Sequence, residues 1–241
     1  MKTRFKLITF DFWNTLFHDL HEGIRHQKRI SYAHGMLQPY RENLEVERVE
    51  AAFRVAHELF DAQWETRKAF TMDLHAAAML TDLDIQISND EKSRLVDFFE
   101  SILLEYPPVM IREADTVVRF ASSVALTGLV SDTGYSPGRT LRKILERNGI
   151  HDAFHAFSFS NETGYLKPNE QAFLPILSRL GVDPADAVHI GDLEETDIAG
   201  AKQLGMAAVK YIGANPKASR ISVADAVIED LHDFPEVLSQ L

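Results

Sequence analysis

Four polar positions follow predicted strands directly, and their side chains suit chemistry on a phosphate. They are Asp11 with Thr15, Ser131, Lys167, and the acidic loop 191–197. Ligands of an open parallel sheet bind beyond the carboxyl ends of its strands, so these residues should meet at one edge. A carboxylate can attack phosphorus while a lysine and a hydroxyl hold the dianionic group beside it. The set predicts a phosphoryl-transfer site with Asp11 as nucleophile.

The same residues predict a divalent cation. Asp11 and Asp192 come from two different loops, and carboxylate oxygens are the hard ligands that Mg²⁺ prefers. The sequence contains no cysteine, so any metal must be bound through oxygen or nitrogen. Taken singly, each residue has a simpler interpretation: Asp11 ends a strand, Ser131 lies in a turn, Lys167 is solvated, and Asp192 caps a helix. Their order and shared placement favour the site.

Two kinds of hydrophobic pattern surround these residues. Residues 5–11 form a short apolar run that ends in an acid, as in a buried parallel strand. From about residue 19 to 106 the pattern is helical, and Asn89 is predicted to cap a helix that ends before Pro107. The clearest helical face in this stretch comprises Val49, Ala52, Phe53, Ala56, Leu59 and Phe60.

Beyond residue 107, strands and helices alternate. The predicted strands are 124–130, 156–159, 187–190, 207–212 and 226–228. The predicted helices are 137–148, 169–180, 195–204 and one that ends near 240, with Gly149, Gly181 and Gly205 after the first three. The alternation predicts an α/β fold with a doubly wound, mostly parallel sheet, interrupted after its first strand by an all-helical subdomain.

Composition narrows the class of protein. The 241 residues suffice for one α/β domain with an insertion, and 25 basic against 36 acidic residues give a net charge of −11. This charge disfavours binding to nucleic acid or to an anionic membrane. No apolar run approaches a membrane span, and the first residues do not read as a signal peptide. We expect a cytoplasmic protein.

The sequence resembles the haloacid dehalogenase superfamily. Its four ordered motifs are matched by Asp11-Phe-Trp-Asn-Thr15, by Leu129-Val130-Ser131, by Lys167-Pro168, and by Gly191-Asp192 with Asp197. The helical stretch after the first motif is similar to that superfamily's α-helical cap. The resemblance implies a Rossmann-like core at residues 1–16 and 96–241, with the cap at 17–95.

The resemblance also implies roles for individual residues. Asp11, Ser131 and Lys167 would be catalytic, and Thr15, Ser131, Asp132 and Lys167 would bind substrate. Mg²⁺ would be held by Asp11, Asp192 and the backbone carbonyl of Trp13, with Asp197 in support. The expected function is a Mg²⁺-dependent hydrolase, a phosphatase or phosphotransferase for a small phosphorylated molecule, as a monomer or homodimer.

Trp13 departs from the superfamily's pattern. Its phosphatases usually carry an Asp there, which protonates the leaving group and then activates water. An indole exchanges no proton near neutral pH, so this acid is missing. The namesake dehalogenases, which use the same Asp nucleophile without metal, typically have an aromatic Tyr at this position. A 2-haloacid dehalogenase and a catalytically silent binding protein therefore stay open as alternatives, although the acidic loop favours a metal-dependent enzyme.

Histidines and cations of the helical stretch suggest further sites. His18, His21 and His26 lie near the expected hinge, but their spacings of three and five fit one helical face poorly and predict no metal site. His189, inside a strand, is expected to be packed and hydrogen-bonded. Residues of the cap that could meet an anionic substrate, although each alone reads as a solvated helix face, are Arg25, Arg29, Trp64, Arg67 and Lys68.

Overall fold

The computed structural model describes residues 3–214 and 219–241. Eight strands lie within them: β1 (Leu7–Phe10), β2 (Phe17–His18), β3 (Val109–Met110), β4 (Leu126–Ser131), β5 (Ala156–Phe159), β6 (Ala187–Gly191), β7 (Ala207–Tyr211) and β8 (Ala226–Ile228). Six of them form one sheet in the order β5-β4-β1-β6-β7-β8, and every pairing in it is parallel. The predicted parallel α/β sheet is confirmed.

Strand β1 lies in the middle of this sheet. Phe10, its last residue, is paired with Leu129 of β4 on one side and with Ile190 of β6 on the other. After β1 the chain forms β4 and β5 on one side of it, and then β6 and β7 on the other. The carboxyl end of β1 is therefore the topological switch point of the sheet. The residue that follows β1 is Asp11.

Helices cover both faces of the sheet. Those of this core are α5 (Ala114–Val124), α6 (Gly138–Arg147), α7 (Ser160–Thr163), α8 (Leu174–Leu180), α9 (Ala199–Gln203) and α10 (Phe234–Gln240). Because successive strand residues point to opposite faces, Ile8 and Phe10 pack in one apolar cluster while Leu7 packs in another. Both faces are therefore buried, as a parallel sheet requires.

The helical subdomain between β2 and β3 has its own apolar cluster. It consists of α1 (Glu22–Leu37), α2 (Val46–Glu65), α3 (Met72–Leu83) and α4 (Asn89–Glu105). The predicted face of α2 is buried at Val49, Ala52, Phe53 and Ala56. Leu59 is 46% exposed, so the buried part of this face does not include it.

Helix α4 begins at Asn89, one residue earlier than a cap at Asn89 requires. Ser88 is the N-cap: its hydroxyl accepts from Glu91 N, and Glu91 Oε2 accepts from Ser88 N. The predicted boundary at 95/96 falls inside this helix. Because Leu95 packs in the cap cluster and Leu103 in a core cluster, α4 joins the two regions.

Several elements were not predicted from sequence. Strands β2 and β3 pair antiparallel where the chain leaves and re-enters the core, and α5 ends at Val124, where a strand was expected to begin. The predicted helix 195–204 is divided into a π-helical turn, Glu194–Ile198, followed by α9. Gly149, Gly181 and Gly205 have positive φ, as their predicted positions after helices require. Within the described ranges, no helix is both long and apolar enough to cross a membrane.

Candidate active site

The predicted catalytic residues meet at the carboxyl edge of the sheet. Asp11 follows β1, Ser131 ends β4, and Asp192 follows β6. Lys167 comes from the loop after α7 and places its Nζ 2.5 Å from Asp11 Oδ1 and 2.6 Å from Asp197 Oδ1. All five side chains are buried. Loops that are far apart in sequence thus form one polar cluster around the switch point.

Three carboxylates of this cluster form a candidate metal site. Oxygen atoms of Asp11, Asp192 and Asp197 all lie within 4.8 Å of one another. Lys167 pairs with Asp11 and Asp197, while Asp192 has no ion-pair partner among the described residues. Three buried acids facing one lysine leave an excess of negative charge, and oxygen ligands of this kind suit Mg²⁺. The donor set therefore fits the predicted ion.

The pKa values of the three acids reflect this excess of negative charge. Burial raises the pKa of Asp11 well above its ordinary range, and the charges of Asp197 and Asp192 raise it further. Burial and Asp197 raise the pKa of Asp192 to about 7. Burial would also raise the pKa of Asp197, but Lys167 and a hydrogen bond from His189 hold it below its ordinary value. A cation at this place would restore the ionised form of the first two acids.

Asp197 is held more firmly than the other two acids. Its Oδ2 accepts from Leu193 N at 3.1 Å, and its Oδ1 lies 3.1 Å from His189 Nε2. A Cβ at Gly191 would lie 2.3 Å from Asp197 Cγ, so glycine is required for this approach. The prediction that His189 is packed and hydrogen-bonded is confirmed, since its Nδ1 also lies 2.9 Å from Thr9 Oγ1.

Two hydroxyls of the cluster make no strong hydrogen bond within the described residues. Thr15 Oγ1 is enclosed and has no hydrogen-bond partner in the described part of the chain, and Ser131 Oγ has a long 3.4 Å contact to Asp132 O. Thr15 lies in the loop after β1, and Ser131 is the last residue of the neighbouring strand β4. Asp132 instead accepts the backbone N–H of Lys167 at 3.0 Å, and burial raises its pKa to about 6. Asp132 thus orients the Lys167 loop.

Trp13 lines the space between core and cap. It is half-buried, and its ring meets that of Phe12 edge-on at 4.9 Å. It borders a cavity of about 300 Å³ whose other walls include core residues Asn14, Asp132, Gly134, Tyr135 and Ser136 and cap residues Arg25, Arg29, Phe60 and Trp64. Asn14, next to it, has φ +54°, consistent with the tolerance of Asn for this conformation. An aromatic surface therefore stands where an acid is usual.

The hinge histidines do not converge on one site. His18 Nδ1 lies 3.1 Å from Asn14 Oδ1, and His21 Nδ1 lies 2.9 Å from Pro107 O. His26 lines a different cavity, in the cap. Among the residues that the structure describes, the group of acids around Asp11 is the one set of three potential ligands within reach of one ion.

Sequence reasoning placed two cap arginines incorrectly and omitted Tyr135. Arg25 and Arg29 are 3% and 4% exposed, so they do not lie on a solvated face. They continue the spacing of four residues set by Ala33 and Leu37 on the buried side of α1, a signal that was available. Tyr135 comes from the loop after β4 and inserts its ring into the cap, where His57 Nδ1 lies 2.7 Å from its hydroxyl.

Comparison with known proteins places this geometry in a family. Residues 5–205 match the model of haloacid dehalogenase-like hydrolases. A glyceraldehyde 3-phosphate phosphatase of Methanopyrus kandleri is 46% identical over 102 residues, covering 40% of this chain and 43% of that protein. The Pyrococcus furiosus protein of the same name is 32% identical over 130 residues, covering 52% of each. The matched part of the chain thus spans about half, or less, of the length of these relatives.

Solved structures resemble the whole chain. A 2-haloacid dehalogenase from Pseudomonas syringae pv. Tomato DC3000 is 26% identical, with a TM-score of 0.73 over 98% of this chain and 99% of that one. A haloacid dehalogenase-type phosphatase from Thermococcus onnurineus is 21% identical, with a TM-score of 0.65 over 99% and 98%. The second likeness concerns the fold alone. Core and cap together therefore follow a known architecture.

Proposed function

Because the chain belongs to the haloacid dehalogenase-like hydrolases, we propose that it is a Mg²⁺-dependent phosphatase that acts on a small phosphorylated molecule. The observation that carries the proposal is the group of three buried carboxylates with Lys167 as its cation. A divalent ion would offset the excess negative charge of this group and so allow a phosphate dianion to bind beside it. The relatives named as phosphatases support the same reaction.

Asp11 is the proposed nucleophile. One of its carboxylate oxygens attacks phosphorus, the bond from phosphorus to the leaving oxygen breaks, and that oxygen keeps the electron pair. Water then attacks the phosphorus of the aspartyl-phosphate, which releases inorganic phosphate and restores the carboxylate. Both steps need proton transfers that Asp11 cannot perform while it is bonded to phosphorus.

The neighbours of Asp11 bind and orient the phosphoryl group. Lys167, already 2.5 Å from Asp11 Oδ1, and the hydroxyls of Ser131 and Thr15 would donate to phosphoryl oxygens. Asp132 would act on substrate through the backbone of Lys167. Asp11, Asp192 and the backbone carbonyl of Trp13, with Asp197 in support, would hold Mg²⁺, which would neutralise charge at the phosphate.

Trp13 limits the rate of this reaction. The residue that usually protonates the leaving oxygen and activates water is replaced by an indole that lines the cavity. The loss of one acid–base group costs about 10²–10⁴ in rate. The enzyme should therefore prefer leaving groups that need little protonation, and its aspartyl-phosphate should persist or pass to another acceptor.

The substrate is proposed to be small. The relatives include proteins named for glyceraldehyde 3-phosphate and one named as a ribulose-1,5-bisphosphate 5-phosphatase. A cavity of about 300 Å³ next to the reacting groups suits molecules of this size. The proposal includes a cytoplasmic location, with which the lack of cysteine agrees, and a monomer or homodimer.

A 2-haloacid dehalogenase is the second candidate. The similar structure from Pseudomonas syringae carries that name, and an aromatic residue at position 13 favours it. Against it stands the concentration of acids at Asp11, Asp192 and Asp197, since a metal-free displacement of halide gains nothing from excess buried negative charge.

Release of phosphate from 4-nitrophenyl phosphate tests the proposal. We expect turnover with Mg²⁺, none with chelator, and a loss of about 10⁴-fold or more in Asp11→Asn, because the variant lacks the nucleophile. Asp152→Asn is the matched control, since that carboxylate is fully exposed. Equal rates with and without chelator would refute the metal role. Halide release from 2-chloropropionate under chelator would support the dehalogenase, and neither product would indicate a silent member.

A further inference from the structure

Helix α1 buries two arginines that differ in their partners. Arg25 donates to Tyr106 O at 2.9 Å and forms an ion pair with Asp19. Arg29, one turn later, has no carboxylate within 4.0 Å among the described residues, although it is 4% exposed. A buried guanidinium without a counter-charge is costly. Arg25 thus has a structural explanation that Arg29 lacks.

The guanidinium of Arg29 is hydrogen-bonded through Nε but not, within the described residues, through its two terminal nitrogens. Its Nε donates to Phe99 O at 2.9 Å, and its carbon lies 4.9 Å from the centre of the Tyr135 ring. Its two terminal nitrogens donate to no acceptor in the described ranges, and neither is sealed from solvent. Both cavities of this region include Arg29 in their walls. The side chain therefore presents a fixed fork of donors to open space.

This space is lined by residues that closely follow the proposed phosphate-site residues Asp11 and Ser131 in the chain. Trp13 and Asp132, from the loops that follow β1 and β4, line the same 300 Å³ cavity as Arg29. The aromatic rings of Phe60 and Trp64 form part of its cap side. A molecule whose phosphate is bound beside Asp11 would extend past Trp13 into this cavity. The part of the substrate that is not phosphate then faces Arg29.

The acids around the cavity do not neutralise Arg29. Asp19 is paired with Arg25, and Asp132 accepts from the backbone of Lys167. Glu22 lines both cavities, but its side chain is exposed at the rim. In the second cavity, Glu50 and Arg54 are likewise exposed and of opposite charge. Because none of these acids pairs with Arg29, a second anionic group on the substrate could do so.

We propose that Arg29 forms a second anion subsite in the cap, so that the preferred substrates are phosphate monoesters that carry a further anionic group, a carboxylate or a second phosphate. The inference rests on the proposed phosphatase function, which supplies the first phosphate site. Planar bidentate recognition by a guanidinium suits a carboxylate best. Triose phosphates, which carry no anionic group besides their phosphate, would be poorer substrates.

A matched pair of substrates tests this subsite. 3-Phosphoglycerate and glycerol 3-phosphate share a three-carbon skeleton and differ in having a carboxylate or a hydroxymethyl group. We expect kcat/KM of the native enzyme to favour 3-phosphoglycerate by about 10- to 100-fold, the range for hydrogen bonds to a charged group. Arg29→Met should remove most of that preference, mainly through KM, and leave glycerol 3-phosphate nearly unchanged. Arg29→Lys should restore part of it.

Stability measurements distinguish a binding role from a structural one. Arg29→Met removes an uncompensated buried charge, so its melting temperature should equal or exceed that of the native protein. Arg94→Met is the matched control, because Arg94 lies on the exposed side of a cap helix, outside both cavities. A native preference of one or less, or equal losses for both substrates in Arg29→Met, would overturn the inference.

A calorimetric arm separates failure of the subsite from failure of the phosphatase. Both compounds are titrated with Mg²⁺ into Asp11→Asn and into the Asp11→Asn, Arg29→Met double variant, where no turnover is needed. Tighter binding of 3-phosphoglycerate that depends on Arg29 would uphold the subsite even if no phosphate ester is hydrolysed. Hydrolysis of 4-nitrophenyl phosphate without this binding preference would refute the subsite and leave the phosphatase intact.

Discussion

Two fully buried histidines show how differently the core and the cap treat their polar groups. In the core, His189 Nδ1 lies 2.9 Å from Thr9 Oγ1, and Nε2 lies 3.1 Å from Asp197 Oδ1. In the cap, neither ring nitrogen of His75 has a partner within the part of the chain that the structure describes. Its nearest ring neighbours are Phe53, Phe70, Phe99 and Tyr135. The core thus pairs both nitrogens of its buried histidine, and the cap leaves those of its own histidine unpaired.

The buried cations of the core and the cap differ in the same way. Lys167 lies between two carboxylates, which hold its pKa above its ordinary value although burial alone would lower it. Arg29 has no such partner, and burial together with Arg25 lowers its pKa to about 10. Mutual contacts in the core fix the reacting groups before substrate arrives. In the cap, Arg29 has no carboxylate partner among the described residues, and in the proposed anion subsite an anionic group of the substrate supplies one.

Replacement of Lys167 tests the core side of the comparison and should have the largest effect on stability. Lys167→Met leaves Asp11 and Asp197 buried beside each other without their cation. We expect the free energy of unfolding to fall by about 3–5 kcal/mol without metal. Mg²⁺ should recover part of the loss, because it supplies positive charge to the same carboxylates. Urea unfolding with and without Mg²⁺ measures both effects.

Lys202→Met is the control for Lys167→Met. Lys202 pairs with Asp225 at 2.8 Å, but both side chains are about one-third exposed. Its loss should cost at most about 1 kcal/mol and should not depend on Mg²⁺. If Lys167→Met were no more harmful than this control, the acids of the cluster would not depend on their lysine, and the contrast with the cap would fail.

Replacement of His75 tests the cap side and should have a smaller, opposite effect. His75→Phe removes two unpaired buried nitrogens, so the free energy of unfolding should rise by about 1–2 kcal/mol near neutral pH. Burial, with a contribution from Arg29, lowers the pKa of His75 from 6.5 to about 3. The unfolded chain therefore binds this proton more readily than the folded protein, and stability is complete only above about pH 6.5.

The pH dependence gives His75→Phe a second, independent measurement. As pH falls from about 6.5 towards 3, His75 should cost the native protein about 1.4 kcal/mol per pH unit, and the variant should lack this component. His232→Phe, at an exposed position of the core, is the matched control. An acid-side slope that is identical in native protein and His75→Phe would show that the cap satisfies this histidine in solution.

The core was more predictable from sequence than the cap for a physical reason. The carboxyl ends of parallel strands must lie at one edge, so identifying the strands also placed Asp11, Ser131 and Asp192. The contact of Asp197 with Gly191 was not predictable, because it depends on a π-helical turn that looks like ordinary helix in the sequence. Lys167 was included both for its position after the strand 156–159 and through the family resemblance, and the structure brings its Nζ to Asp11 and Asp197.

The cap was harder to predict, because hydrophobic periodicity identifies the buried face of a helix but does not show that charged residues can lie on it. Arg25 and Arg29 stand on the buried stripe of α1, but a cation at such a position usually reads as solvated. Tyr135 is a core residue that packs in the cap, and no local pattern predicts a contact across 78 residues with His57. Leu59 shows the converse, since its spacing suits burial and the packing leaves it exposed.

Trapping the intermediate tests the central claim, that Asp11 is the nucleophile of a phosphatase without its usual acid. The protein is mixed with Mg²⁺ and 4-nitrophenyl phosphate and quenched in acid. It is then digested, and the masses of its peptides are measured by mass spectrometry. We predict one phosphoryl group on the peptide that contains Asp11, at higher occupancy in the native protein than in Trp13→Asp, because an aspartate at position 13 would activate the water that removes it. Phosphate release with no phosphoryl group on that peptide, in either protein, would contradict this account.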